Sequence, residues 1–479
     1  MATTIFAIDL GTQSLRLSAY TPGGEQLWGW SSPVHSVVAG SSYTQLPAEW
    51  GELLRRAFQA AGKAGIQPDI IAASGPLAGW VPLDSAGEAL APASMYLDGR
   101  AQTDIEIVSN TIKDSAIVLP SFRTTVADPL PNALRLRRET PEIASRTQTM
   151  LDATGWLNFF LTGERTLNAY TALRLYSEAV CNALRIHPNF FGRVVPIGTE
   201  IGKLSSDLAK LYGFNQVPVI SASFDSKCAY IAAGLSQQGD ALDISGTVTS
   251  VGVYHHSEIR DEQQRIYSVP FQQGVLVRGS NACSGSTIAW AEQHLLHSSV
   301  DVWSQSAATV SPGAKGVTFL PYLAGERTPY WTPHARGALL GLGLDTTSAV
   351  IARAVLESLA YSLRHILDCM KECGVSATSL RLSGGLAQND LLSQMKADIT
   401  GLPVHRLANK ELTSLGLVAL CTVSLGLETD LISAAGKLVA IEKTFVPTPA
   451  NKEAYEISYQ RYRACAEALL PTFQPATLS

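Results

Sequence analysis

The sequence predicts an α/β protein made of two similar domains, and two features of the chain lead to this prediction. Strand-like segments alternate with helix-like segments, which is the pattern of an α/β fold. Residues 4–20 and 240–254 each contain an apolar strand, a glycine turn and a return strand, as in a β-hairpin. Because the two hairpins lie about half a chain apart, we expect a duplicated architecture with a domain boundary near residue 240.

The elements between and after the hairpins follow from hydrophobic periodicity and from turn residues. In the first half, we expect a short buried strand over 217–221. We also expect helices over 46–62, 131–147, 149–162 and 226–234. In the second half, we expect strands over 380–382 and from 403 onward, and helices over 347–371, 386–400 and 451–469.

The composition is that of a globular protein and excludes several functional classes. Of the 479 residues, 46% are hydrophobic and 16% are charged, so disorder is not the main state. The net charge of -5 gives no basic field for a nucleic-acid backbone. No segment has the roughly 18 apolar residues of a membrane helix, and no secretory signal is expected at the start. The cysteines are scattered and odd in number, so a disulfide framework is not expected and a cytoplasmic location is.

The turn of each hairpin has residue types that suit phosphate binding. In the first hairpin, Asp9 is followed by Gly11 and Thr12, and the second hairpin contains Gly246 and Thr247. Glycine lets backbone N–H groups approach an anion, threonine adds a hydroxyl donor, and Asp9 is suited to hold hydrated Mg²⁺ beside phosphate oxygens. The alternative for each turn is an ordinary β-turn. Neither turn is a P-loop, because no G-x-x-x-x-G-K-[ST] segment occurs.

An ordered set of motifs resembles that of the FGGY carbohydrate kinases. The motifs are DLGT at 9–12, SGT at 245–247, PYLAGERTP at 321–329 with ARG at 335–337, and SGG at 383–385 with Asn389. Together they extend over most of the chain. Within the family, the resemblance is to the pentulose kinases, xylulokinase above all, through SG at 74–75, LD at 83–84, DGR at 98–100 and LTG at 161–163.

The resemblance implies two ribonuclease-H-like domains of the actin-like ATPase type around a central cleft. Residues 1–240 would bind sugar and residues 241–479 would bind nucleotide. The implied reaction is phosphorylation of a hydroxyl of a small sugar, most similar to a ketopentose, by ATP with Mg²⁺. The implied partner is the small-molecule sugar, with a homodimer as one assembly that fits, and with no nucleic-acid or membrane partner.

The resemblance also implies roles for individual residues. Asp225 would be the catalytic base that accepts the proton of the attacking hydroxyl, and the alternative is that it only caps the helix that follows. The implied substrate-binding residues are Asp9, Thr12, Leu77, Ala78, Asp98 and Asp225, with Asp9 also the implied metal ligand. The implied ATP-binding residues are Gly11, Thr12, Gln13, Gly246, Thr247, Gly384, Gly385 and Asn389.

The chain departs from the xylulokinase pattern where the sugar would bind. Xylulokinases have Gly-Gln-Met-His-Gly, and this chain has Gly-Pro-Leu-Ala-Gly at 75–79. The missing histidine removes a polar contact to a sugar hydroxyl, and such contacts discriminate strongly between substrates. Ribulose, a deoxyketose, erythritol or glycerol therefore remain alternative substrates, and a non-sugar actin-like ATPase is the alternative function. Asp98 has a second interpretation as an ion pair with Arg100, and Glu326 and Arg327 are expected to pair through their charges.

Overall fold

The computed structural model describes residues 3–115 and 123–473, and its elements are numbered here in chain order. The α-helices are α1 Pro47–Lys63, α2 Gln102–Asp114, α3 Pro129–Glu139, α4 Pro141–Arg146, α5 Ala153–Thr162, α6 Ala169–Ala172, α7 Glu178–Ala183, α8 Ser206–Tyr212, α9 Asp225–Ala232, α10 Gly285–His294, α11 Val300–Ala308, α12 Ser348–Glu372, α13 Asp390–Thr400, α14 Leu412–Ser424, α15 Leu431–Leu438 and α16 Lys452–Leu469.

The strands alternate with these helices along the chain. They are β1 Ile5–Leu10, β2 Ser14–Tyr20, β3 Gln26–Pro33, β4 Ser36–Ala39, β5 Ser42–Gln45, β6 Ile70–Ser74, β7 Ala78–Leu83, β8 Ala93–Met95, β9 Thr149–Leu151, β10 Thr166–Asn168, β11 Arg193–Val195, β12 Glu200–Lys203, β13 Pro218–Ile220, β14 Asp240–Ser245, β15 Thr249–His255, β16 Tyr267–Phe271, β17 Gly274–Ser280, β18 Thr318–Leu320, β19 Ala338–Leu340, β20 Ser379–Ser383, β21 Val404–Leu407 and β22 Ile441–Phe445.

The chain divides into two compact units. The first spans Met1–Gly234 and Glu411–Val439, and the second spans Leu235–Lys410 and Ala440–Ser479. The junction between residues 234 and 235 lies close to the boundary expected near residue 240, and residues 411–439 pack with the first unit although they come late in the sequence. Among the helices of the described residues, none combines the length and the apolar character that crossing a bilayer requires.

The return of 411–439 to the first unit follows from close helix packing. Helix α14 lies against α9, and Gly416 makes the approach possible because it carries no side chain. A Cβ atom at Gly416 would come within 2.6 Å of the Cys228 carbonyl carbon on α9. The same helix also packs against β1 and β6, so it supports the two strands and the helix on which the candidate catalytic residues lie.

The main sheet of the first unit contains the predicted N-terminal hairpin. Its strand order is β12-β13-β6-β1-β2-β3, with β1 antiparallel to β2 and parallel to β6. Alternating apolar residues of β1 and β2 pack with side chains of α1 and α5 in one buried cluster that includes Trp50, Phe58 and Leu157. This packing fixes the carboxyl ends of β1 and β6, where parallel strands of an α/β sheet present their functional side chains.

The main sheet of the second unit repeats this arrangement. Its order is β16-β17-β15-β14-β20-β21-β22. In both sheets an antiparallel three-stranded segment is followed by two parallel strands and then an antiparallel edge strand, with β16 added in the second unit. The duplicated architecture expected from the two hairpins is therefore present in the strand order itself.

Two predicted helices of the first unit differ from the structure. The helix expected over 131–147 is interrupted, because Pro141 begins a new helix and cannot continue the hydrogen bonding of the preceding one. The helix expected over 149–162 begins later. Its first residues form strand β9, and the Asp152 side chain then caps α5 by accepting a hydrogen bond from the Gly155 N–H.

Candidate active site

Asp9 is a buried carboxylate on β1, the first strand of the N-terminal hairpin. It lies directly across the hairpin from Arg16, and the two side chains form an ion pair with Nη1 3.3 Å from Oδ2. The other oxygen, Oδ1, is buried without a hydrogen-bond partner among the described residues. Burial, together with the negative charges of Asp225 and Glu411, raises the pKa of Asp9 to about 7 against the opposing effect of Arg16.

Asp225 is the first residue of α9 and follows strand β13. Its backbone N–H donates to the Gly75 carbonyl at 2.9 Å, which connects the start of α9 to the segment after β6. Its Oδ1 accepts a hydrogen bond from the Ser226 N–H at 2.5 Å. The residue in the N-cap position is Phe224, so the alternative in which Asp225 is the capping residue does not describe this helix. The helix N-terminus instead favours the negative charge of Asp225 electrostatically.

The surroundings of Asp9 are suited to a divalent cation. Asp225 and Glu411 add negative charge, Arg16 is 3.5 Å from Glu411 as well as close to Asp9, and Asp9 Oδ1 lacks a donor in the described part of the chain. Residues 3–115 and 123–473 contain no cluster of three or more metal-ligating side chains. In kinases, Mg²⁺ is bound by one or two carboxylates together with water and substrate phosphates, and Asp9 can supply one such carboxylate.

The turn between β1 and β2 holds the other predicted residues of the first hairpin. The Gly11 N–H donates to the Ser14 carbonyl at 2.8 Å, and the Thr12 carbonyl accepts from Gln45 Nε2 at 2.9 Å. Thr12 is half-buried, and Gln13 is exposed at the tip of the turn. The turn is therefore held by its backbone, and a ligand can approach it from the solvent side.

Leu77 and Ala78 lie at the start of β7, in the segment that begins with the Gly75 contact to Asp225. Ala78 is buried with φ at 74°, a conformation that few residues other than glycine adopt. Both side chains belong to an apolar cluster that also contains Trp80 and Tyr96. The segment is therefore apolar, as the sequence predicted. The hydrogen bond from the Asp225 N–H to the Gly75 carbonyl joins it to the start of α9.

Asp98 is buried in an ion pair with Arg100. Arg100 Nε is 2.8 Å from Oδ1 and Nη2 is 2.5 Å from Oδ2, while the Ser94 hydroxyl donates to Oδ2 at 2.7 Å. These hydrogen bonds lower the pKa of Asp98, although burial alone would raise it. Because both carboxylate oxygens are already bonded within the fold, the structure favours the ion-pair interpretation over direct recognition of a sugar.

The second hairpin presents Gly246 and Thr247 at an exposed turn. The turn is anchored to the start of α10, where the Gly285 N–H donates to the Gly246 carbonyl at 2.9 Å and the Ser286 N–H donates to the Thr247 carbonyl at 3.1 Å. The Gly246 N–H donates to the Val248 carbonyl at 3.0 Å, so on the solvent side of the turn it is the exposed Thr247, with its hydroxyl, that a ligand can reach.

Gly384 and Gly385 follow β20 and differ in their surroundings. Gly384 has φ at 93°, and a Cβ there would come within 2.7 Å of the Ser245 carbonyl carbon. Gly385 is exposed, and a Cβ there would have no atom within 4 Å. Gly384 therefore brings its backbone against the turn of the second hairpin, whereas Gly385 faces open space.

Asn389 is the N-cap of α13, which corrects the continuous helix expected over 386–400. Its Oδ1 accepts from the Leu392 N–H at 2.9 Å, and its Nδ2 donates to the Ser304 hydroxyl at 2.9 Å. These contacts give Asn389 a structural role in holding α13 against α11. Its predicted role in nucleotide binding stays a prediction.

A buried polar cluster that no sequence motif indicated lies beneath the second hairpin. Lys396 Nζ on α13 is 2.6 Å from Asp243 Oδ2 and 2.7 Å from Ser245 Oγ, and all three residues are buried. The available sequence signal was a lysine between two apolar residues, Met395 and Ala397, but its partner lies 153 positions away. Glu411, which adds charge around Asp9, was missed because its segment returns to the first unit.

The Glu326 carboxylate is bonded differently from the expected charge pair with Arg327. Its Oε1 accepts hydrogen bonds from the backbone N–H groups of Ala282 at 2.9 Å and of Arg327 at 2.7 Å. Burial raises the pKa of Glu326 to about 7, and these N–H groups and the Arg327 charge oppose the rise. Glu326 thus joins its loop to the end of β17 through the backbone.

Comparison with known families identifies the chain. The model of the N-terminal domain of the FGGY family of carbohydrate kinases matches residues 4–232, and the model of the C-terminal domain matches residues 243–425. The chain belongs to the FGGY family of carbohydrate kinases, as its motifs predicted.

Individual relatives narrow the class. Xylulose kinase of Staphylococcus epidermidis is 26% identical over 486 residues, which cover 96% of each chain. Glycerol kinase of an Acidovorax species is 30% identical over 339 residues, covering 66% of this chain and 67% of that protein. The predicted enzyme class, a sugar kinase similar to the xylulokinases, is confirmed.

Solved structures confirm the two-domain actin-like fold. The xylulose kinase of Lactobacillus acidophilus superposes with a TM-score of 0.91 at 19% identity, covering 98% of this chain and 99% of that chain. The glycerol kinase of Plasmodium falciparum, solved with ADP, superposes with a TM-score of 0.88 at 19% identity over 98% and 99% of the two chains.

Proposed function

We propose that this kinase transfers the terminal phosphoryl group of ATP to a hydroxyl of a ketopentose-like sugar, with Asp225 as the general base. The observation that carries the proposal is the placement of Asp225 at the start of α9, where its charge acts on the buried carboxylate of Asp9. A base for the hydroxyl and a carboxylate for the cation are the two acidic groups that this reaction needs from the protein.

At the γ-phosphorus the reaction forms one bond and breaks one. The sugar hydroxyl oxygen bonds to the γ-phosphorus, the bond from that phosphorus to the bridging oxygen breaks, and ADP leaves with the electron pair. Asp225 accepts the hydroxyl proton as the phosphoryl group moves through a loose in-line transition state. The Ser226 N–H bonded to Oδ1 orients the Asp225 carboxylate for this step.

Asp9 supports the reaction by its charge. Its buried Oδ1, which has no partner among the described residues, fits a ligand position for Mg²⁺ or for a water of its hydration shell. When bound, Mg²⁺ supplies positive charge to the phosphate oxygens. The ion pair with Arg16 holds Asp9 in place and keeps its second oxygen engaged.

The second unit supplies the nucleotide site in this proposal. Exposed Gly246 and Thr247 would bind the β- and γ-phosphates through backbone and hydroxyl donors. The open surface at Gly385 gives the adenosine a place to lie against the backbone. Support also comes from the structural likeness to a glycerol kinase that was solved with ADP.

Leu77 and Ala78 bear on the choice of sugar. Leu77 is half-buried and gives the segment bonded to Asp225 an apolar side chain at its surface, whereas Ala78 is buried in the cluster with Trp80 and Tyr96. Some ketoses, such as a deoxyketose, have no hydroxyl directed at this segment. Such a ketose would lose less binding free energy here than in a site with a histidine donor. Glycerol remains the second candidate substrate because glycerol kinases are among the relatives.

A coupled assay of ADP release tests the proposal. The protein is supplied with MgATP and with D-xylulose, D- and L-ribulose, L-xylulose, L-fuculose, L-rhamnulose, erythritol or glycerol, each against a reaction without sugar. We expect one ketose to raise ADP formation far above the sugar-free rate. ATP turnover that no sugar or polyol changes would contradict the proposal and would favour a non-sugar ATPase.

A further inference from the structure

A closed triangle of hydrogen bonds lies beneath the turn of the second hairpin. Lys396 Nζ donates to Asp243 Oδ2 at 2.6 Å and to Ser245 Oγ at 2.7 Å. The Ser245 hydroxyl donates to the other oxygen of the carboxylate, Asp243 Oδ1, at 2.7 Å. Asp243 is 0% exposed and Lys396 is 3% exposed, so the triangle is closed off from solvent.

Filling a protein core with such a triangle carries a high cost in desolvation free energy. Both charges lose hydration on burial, and apolar side chains of similar volume often stabilise a core as well or better. What a buried pair offers instead is direction, because hydrogen bonds fix the angle and distance of the groups they join. The best-attested use of buried polar pairs is to select one backbone arrangement over its neighbours.

The group that the triangle fixes is Ser245, the last residue of β14. Gly246 follows it directly in the turn, and Thr247 follows that. On its other side, the Ser245 carbonyl lies against Gly384, where no side chain could be accommodated. Lys396 and Asp243 thus fix the position of Ser245 through its hydroxyl. The backbone of Ser245 in turn contacts Gly384 and continues into Gly246, which belong to the two predicted parts of the nucleotide site.

A second set of bonds holds the other end of the turn. Thr249 begins β15, and its hydroxyl donates to the Ser284 hydroxyl at 2.9 Å while its N–H donates to Asn281 Oδ1 at 2.8 Å. The turn is therefore clamped at both strand ends by buried polar side chains. The middle of the turn is exposed, and there the Thr247 hydroxyl can reach a ligand.

We propose that Lys396 and Asp243 are positioning residues that set the direction of the Ser245–Thr247 backbone toward the phosphates of the bound nucleotide. This inference rests on the proposed function, because it assigns the turn to the nucleotide. The two residues act through Ser245 and touch neither substrate. Their removal should change nucleotide affinity and leave the sugar KM unaltered.

The test replaces the triangle by apolar side chains. Lys396→Met, Asp243→Leu and Ser245→Ala are combined so that no buried charge or hydroxyl loses its partner. The matched control is Arg353→Met combined with Glu357→Leu. This ion pair is also buried in the second unit, with Arg353 Nε 2.7 Å from Glu357 Oε1, but it is not bonded to Ser245. ADP affinity is measured by calorimetry without sugar, and KM for ATP, KM for sugar and kcat are measured in the ADP-release assay.

We expect the triple variant to fold and to bind ADP about ten- to a hundredfold more weakly, the scale expected for small misplacements in a site. KM for ATP should rise in parallel, while KM for sugar and the ADP affinity of the control variant stay at wild-type values. Unchanged ADP affinity in the folded triple variant would overturn the proposal.

A second variant covers the case in which the triple variant does not fold. Ser245→Ala alone removes the hydroxyl that both charged groups hold, and it should weaken ADP binding severalfold. Wild-type ADP affinity in Ser245→Ala would overturn the proposal. A wild-type protein that binds ADP but phosphorylates no sugar would instead contradict the proposed function, and the ADP measurements would still decide the role of the triangle.

Discussion

Replacing Gly384 by alanine should disturb the candidate nucleotide site through its packing. Gly384 has φ at 93° and ψ at 174°, a backbone conformation essentially confined to glycine, and an alanine there would cost roughly 1–3 kcal/mol. The added Cβ would also come within 2.7 Å of the Ser245 carbonyl carbon, and overpacking of this kind costs about 1–3 kcal/mol. Together these effects give an expected loss of about 2–6 kcal/mol in the free energy of unfolding.

The neighbouring glycine provides the matched control for this substitution. A Cβ at Gly385 would have no atom within 4 Å and its φ is not positive, so Gly385→Ala should keep the stability of the wild type. Thermal unfolding followed by circular dichroism gives the stabilities, and calorimetry gives the ADP affinities. We expect Gly384→Ala to lose both stability and ADP affinity, and Gly385→Ala to lose ADP affinity alone.

Two outcomes would refute this reasoning about the paired glycines. Wild-type stability in Gly384→Ala would show that Ser245 does not press against this position. Wild-type ADP affinity in both variants would remove the two glycines from the nucleotide site, whatever their effects on stability.

Two further predictions concern buried carboxylates away from the reacting groups. The unfolded Glu326 carboxyl ionises near pH 4.5 and the folded one near 7, so the contribution of Glu326 to the free energy of unfolding should fall by roughly 3 kcal/mol as pH rises through this interval. Glu326→Gln keeps an acceptor for the same N–H groups but cannot ionise, and its melting temperature should rise relative to wild type between pH 4.5 and 7. Asp98→Asn breaks the ion pair with Arg100 and should cost about 1.5–3 kcal/mol in unfolding free energy with no change in the sugar KM.

Each of these predictions has its own contradicting result. A constant difference in melting temperature between Glu326→Gln and wild type across this pH range would show that Glu326 ionises normally in the folded state. A raised sugar KM in Asp98→Asn, at wild-type stability, would return Asp98 to the substrate-binding residues and remove it from the scaffold.

The sequence predicted those parts of the fold that depend on local pattern. Both hairpins were found because a glycine turn between alternating strands is encoded within about fifteen consecutive residues. The break at Pro141 was also encoded locally, and the prediction of one helix over 131–147 gave too little weight to proline. Local signals of this kind need no knowledge of distant contacts.

What the sequence did not reveal depends on distant contacts. The return of 411–439 to the first unit depends on the packing of Gly416 against α9. No local sequence pattern indicates this packing. The burial of Lys396 is decided by Asp243 on another element. The family resemblance pointed to Asp9 and Asp225, but the charge of Glu411 beside them became visible only in three dimensions.

The most direct test of the central claim is the rate of sugar-dependent ADP formation in Asp225→Asn, at saturating MgATP and sugar. The control is Asp207→Asn, because Asp207 is also an aspartate in the first turn of a helix of the same unit but is exposed. If Asp225 is the base, kcat should fall by about a hundredfold to ten-thousandfold, while ADP affinity and the control stay at wild-type values. More than a tenth of the wild-type turnover remaining in Asp225→Asn would contradict the account.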